Sequence, residues 1–110
     1  MIVSEEWRAF HAWPILTELA ARGEGGAITY TDLAGELGHG ATRRNLGCML
    51  DLIGGYCHRN GLPPLTRLVV SATTGRPSEG YKKWDRSREG EVYVFDWAGV
   101  ENPFTYAKDG

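Results

Sequence analysis

A chain of 110 residues, 42% hydrophobic and 24% charged, has the composition of a folded domain, so wholesale disorder is excluded and a core can form without disulfides. A net charge of -2 weighs against strong non-specific DNA binding and leaves nucleic-acid affinity to a local cationic face, such as Arg43-Arg44 or the run of Lys82, Lys83, Arg86 and Arg88. No charged-then-apolar leader opens the chain and no apolar run reaches membrane-spanning length, so a single cytoplasmic domain over residues 1–110 is expected.

Ser4 can cap a first helix, with Glu5 and Glu6 in its first turn and Trp7 and Phe10 on one face. Pro14 predicts a kink or a fresh helix start, after which Ile15, Leu16 and Leu19 continue to a turn at Gly23, Gly25 and Gly26. Ala27 to Tyr30 reads as a short extended segment. Thr31 and Asp32 then cap a brief helix carrying Leu33, Ala34 and Leu37 up to Gly38.

After Gly40, Thr42 can cap a third helix in which Leu46, Met49, Leu50, Ile53 and Cys57 recur at helical spacing, with Asn60-Gly61 as its stop. Two short helices joined by a glycine-containing turn predict a helix-turn-helix. Pro63-Pro64 end the helical region. Leu65 to Ser71 is β-rich, Thr73-Thr74-Gly75 predicts a turn, and Val92-Tyr93-Val94-Phe95 predicts a second strand. The polar, basic stretch from Arg76 to Gly90 between them reads as a long wing or loop, and Asn102-Pro103-Phe104 as a segment that packs back. The expected fold class is α+β: a winged-helix-like domain with N-terminal helices, a helix-turn-helix and a small antiparallel β wing.

Chemistry-bearing patterns are sparse. Cys48 and Cys57 are too few and too far apart for a zinc cluster and are expected to be reduced and buried; His11, His39 and His58 lack ligand spacing. Cys57-His58 are sequence neighbours whose side chains diverge on a helix, so they form no nucleophile–base pair. The glycines form neither a P-loop nor a dinucleotide fingerprint, and no cofactor or metal is expected.

Ile28-Thr29-Tyr30, Arg44-Asn45-Leu46-Gly47, Pro64-Leu65-Thr66-Arg67-Leu68-Val69-Val70 and Gly80-Tyr81 occur in that order. Together they resemble the winged-helix DNA-binding domain of the alkylguanine-DNA alkyltransferase and alkyltransferase-like family, over roughly the middle half of the chain. The family's Pro-Cys-His-Arg motif stands here as Pro64-Leu65-Thr66-Arg67. The resemblance implies a phosphate contact for Tyr30, insertion into the duplex for Arg44 and a chiefly structural role for Arg67. It also implies no catalysis, because alkyl acceptance needs a thiolate and a neighbouring base, and Leu65 and Thr66 supply neither. The Trp-His pair of the alkyltransferase-like proteins is missing too, and the segment from Asp51 to Leu62 is longer than the family's connection.

The reading is a non-enzymatic module that binds DNA, with Tyr30, Arg43, Lys82 and Lys83 on phosphates and Arg44 toward the grooves or base stack. Tyr30 as a core or edge aromatic and Arg44 as a solvated helix charge are the plain alternatives. The acidic balance and the aromatics Trp84, Tyr93, Phe95, Trp97, Phe104 and Tyr106 suit a second reading, a protein-interaction module or small inhibitor.

Overall fold

Ser4 opens the first helix, α1 (Glu5–Ala21), by accepting the Trp7 backbone N–H on its hydroxyl at 3.0 Å, with Glu5 and Glu6 in the first turn. In the computed structural model, which describes residues 4–23, 25–77 and 89–104, this helix continues through Pro14. There is no fresh start at the proline. Pro14 has no N–H for the Phe10 carbonyl, and the Asn102 side-chain amide donates to that carbonyl instead, at 2.8 Å. Ala9, Ala12, Trp13, Leu16 and Ala20 form the buried stripe.

Gly26 passes so close to the end of α1 that a Cβ there would collide with the Leu19 carbonyl, which only glycine avoids. The chain then forms β1 (Ile28–Thr29) and α2 (Tyr30–Leu37). Thr29, rather than Thr31 or Asp32, is the cap: its hydroxyl accepts the Asp32 N–H at 3.0 Å. The connection from Gly38 to Leu46 begins with three positive φ angles in a row, 61° at Gly38, 52° at His39 and 82° at Gly40. It exceeds the roughly three to four residues of a tight helix-turn-helix.

The third helix, α3, spans Gly47–Arg59 and does not begin after Thr42 as its capping residue suggested. Asn45 accounts for the delay, since its side chain accepts the Thr42 N–H at 2.8 Å and donates to the Gly40 carbonyl at 3.0 Å. Such side-chain bonds offer the backbone an alternative to the helix. Met49, Leu50, Ile53 and Cys57 lie on the buried face, as their spacing predicts. Gly61, with φ of 67°, and a bond from the Leu62 N–H to the Cys57 carbonyl at 2.9 Å close the helix.

Pro63 and Pro64 lead into a 3₁₀ turn, Leu65–Leu68, and then β2 (Val69–Val70). The β2 strand pairs with β1 in parallel, Ile28 opposite Val69 and Thr29 opposite Val70. This two-stranded sheet corrects the expected antiparallel arrangement. With α2 and α3 forming the connection, the chain crosses over and returns in its original direction, as parallel pairing requires.

Val92 to Phe95 is not a strand either. A 3₁₀ turn spans Glu89–Tyr93, and the amides of Val94 and Phe95 bond back to the Glu91 carbonyl at 3.1 and 2.9 Å. Local bonds thus satisfy these amides, while Val92 is buried and Val94 exposed. Most of the expected wing, including Gly80-Tyr81, Lys82, Lys83, Trp84, Arg86 and Arg88, lies outside the described residues.

The closing segment packs back as expected. A last 3₁₀ turn, Trp97–Gly99, and Phe104 bring their rings to 5.8 and 6.0 Å from Trp13, whose other neighbour is Tyr56 at 6.0 Å. The result is a compact, mostly helical body whose core lies between α1, α3 and the segments from Leu65 onward. No helix among the described residues is long and apolar enough to cross a membrane.

Candidate nucleic-acid interface

Arg43 and Arg44 are exposed in the turn from Thr42 to Asn45 that leads into α3. The turn is held by a bond from the Asn45 N–H to the Thr42 carbonyl at 3.0 Å and one from the Arg44 N–H to the Thr42 hydroxyl at 3.3 Å. Neither guanidinium makes an ion pair among the described residues, unlike Arg8 with Glu5 and Arg22 with Glu18. Both charges therefore face solvent with their donors available.

The start of α3 adds donors to the same region. Leu46 offers no side-chain cap, and the amides of Gly47, Cys48 and Met49 donate to no acceptor among the described residues. Gly47 and Cys48 are exposed, whereas Met49 is buried. Unfilled amides at a positive helix end attract anions. The exposure of Cys48 also corrects the expectation that both cysteines are buried.

Tyr30 is the first residue of α2 and is half-buried. No hydrogen bond or ring contact among the described residues joins it to Arg43 or Arg44. Beyond Tyr30 the charge reverses, because Asp32 and Glu36 line an open groove of about 570 Å³ with Ala27, Ile28, Gly35 and Val70. Carboxylates repel phosphate, so the anion-attracting surface is the arginine turn and the α3 N-terminus rather than the exposed face of α2.

The Pro64–Val70 segment is interior. Leu65 is fully buried and Thr66 is 5% exposed, its hydroxyl making no hydrogen bond among the described residues. Arg67 donates to the Tyr93 hydroxyl at 3.4 Å with its guanidinium 5.9 Å from the ring centre, and that hydroxyl donates in turn to the Gly26 carbonyl at 3.3 Å. These contacts tie the segment to its neighbours.

Cys57 lies beside Leu65, whose backbone N–H reaches its sulfur; burial nevertheless dominates and pushes the thiol up to about 11. Almost none of it is thiolate at neutral pH, so it is no substitute nucleophile. His58 points to solvent. No cluster of three potential metal ligands occurs among the described residues.

Two residues at this site escaped the sequence reading. Asn45 shapes the turn through its own side chain, and Arg8, 8% exposed, donates from Nη1 to the Asn45 carbonyl at 3.4 Å. A signal for Arg8 was present: it stands four and eight residues before Ala12 and Leu16, in register with the apolar stripe.

Comparison with family models, curated proteins and solved structures finds no match to this chain.

Proposed function

We propose that this protein is a non-enzymatic DNA-binding module, which holds the duplex backbone through the Arg43-Arg44 turn and the start of α3. The observation that carries the reading is the placement of two exposed, unpaired arginines directly before an uncapped helix N-terminus. Guanidinium forks and free backbone amides are the donors that phosphate oxygens accept. Arg44 is assigned to the groove or base stack and Arg43 to phosphate. Tyr30, Lys82 and Lys83 complete the set as phosphate contacts at the level of sequence.

Titration of a labelled duplex against the protein across a salt series tests this. Displacement of counterions from several phosphates makes the logarithm of affinity fall linearly with that of salt, by about 0.9 per phosphate neutralised. Absence of binding to duplex and single strand at low salt would remove the proposal.

A second reading, a protein-interaction module or small inhibitor, is favoured by one surface feature. Val94 is 83% exposed, and its neighbours Tyr93, Phe95 and Trp97 line an open groove of about 400 Å³ with Thr17, Glu18 and Asp96. Partners retained in a pull-down after nuclease treatment would support this reading over the first.

A further inference from the structure

We propose that Arg8 is a positioning residue for DNA contact: from inside the fold it holds the turn that presents Arg43 and Arg44. Arg8 is the buried charged residue among those described, and the positive charge of an arginine cannot be relieved by deprotonation. Its recorded compensation is modest. Nη1 reaches Glu5 Oε2 and the Asn45 carbonyl, each at 3.4 Å, and Nε has no hydrogen-bond partner among the described residues. A buried ion with so few partners contributes little net stability compared with an apolar side chain of similar volume. What it does contribute is a definite position for Asn45.

That position propagates through the turn. Asn45 accepts the Thr42 N–H on its side chain, donates its side-chain amide to the Gly40 carbonyl and donates its backbone N–H to the Thr42 carbonyl. Thr42 in turn holds the Arg44 amide. The path from α1 to the two arginines therefore runs Arg8, Asn45, Thr42, Arg44. The glycine-flanked, positive-φ segment from Gly38 to Gly40 before it supplies little stiffness of its own. An unheld turn would sample many orientations, and ordering it on DNA would weaken binding.

The functional half of this inference rests on the DNA-binding reading, so the test has one arm that needs no DNA. Arg8→Met removes the fork while keeping length and apolar bulk; Arg8→Lys keeps the charge on a single ammonium group. In limited trypsin digestion of the full chain, cleavage after Arg43 or Arg44 is compared with cleavage after Arg59 at the end of α3, the products being assigned by mass. For Arg8→Met the ratio should rise about tenfold, the scale of losing a hydrogen bond from a charged donor. Arg8→Lys should restore part of it. In the second arm, Arg8→Met should weaken duplex binding, yet add little to the loss already caused by Arg44→Ala, because both act through the same contact. An unchanged ratio, or equal acceleration at all sites, would overturn the positioning role. A raised ratio in a protein whose unsubstituted form binds no DNA would sustain the role and remove the DNA-binding reading instead.

Discussion

The side-chain amide of Asn102 donates at 2.8 Å to the carbonyl of Phe10, the acceptor that Pro14 leaves unmatched within α1. A proline inside a helix removes the i→i−4 donor and commonly breaks or bends it at a cost of about 3 kcal/mol. Here a residue from the end of the described chain supplies the missing donor, and the helix continues to Ala21.

Asn102→Ala should therefore destabilise the fold by about 1 to 2 kcal/mol, because a part-buried carbonyl loses the side-chain donor that meets it beside Pro14. Pro14→Ala restores a helical N–H to the same carbonyl, so the double variant should lose less stability than the sum of the two single changes. Urea melts of the three variants measure this coupling, and strict additivity would contradict the shared acceptor.

Ile53 is fully buried on α3 and Leu50 is 9% exposed. Ile53→Ala should cost about 2 to 5 kcal/mol, with Leu50→Ala costing somewhat less because its site can admit water. Equal, near-zero losses in denaturant melts would contradict the packing of this helix face.

The two cysteines should differ sharply toward a thiol reagent. Cys48 is exposed and should be labelled in the native protein, whereas Cys57 should react only when the fold opens. Burial raises the Cys57 thiol from 9.0 to about 11, so the native state favours the neutral form. That contribution is fully present below pH 9.0, and it is lost as pH rises to about 11 while only the unfolded chain ionises readily. Cys57→Ser should alter this alkaline slope, read as melting temperature across the pH range. Incubation with alkylguanine DNA should leave the protein mass unchanged, since Leu65 and Thr66 stand where alkyl transfer needs its nucleophile and base; a stoichiometric adduct on Cys48 or Cys57 would contradict this.

On the functional side, Arg44→Ala should weaken duplex binding by about 1 to 3 kcal/mol with the melting temperature preserved, since Arg44 is exposed and unpaired. Replacing Lys82 and Lys83 should weaken binding to all sequences and flatten the salt dependence instead, as loss of phosphate contacts does. Anisotropy titrations at several salt concentrations separate the two patterns. Indifference of binding to both changes would favour the protein-partner reading.

Features governed by neighbours within one or two helical turns were legible in the sequence. The Ser4 cap, the stripe from Leu46 to Cys57 and the stop at Asn60-Gly61 are local matters of side-chain reach, 3.6-residue spacing and glycine conformation, and each occurs where those rules put it. Features decided by distant partners were not. The parallel pairing of Ile28 with Val69 depends on a crossover through two helices, and the donor that meets the Phe10 carbonyl beside Pro14 comes from Asn102, 92 residues away. At the candidate interface the sequence supplied Arg43 and Arg44 as an exposed cationic pair, but the buried Arg8 holding the Asn45 carbonyl emerges only when the first helix lies against the turn, 37 residues along the chain. Periodicity marks which face of a segment is apolar; only packing determines what that face meets.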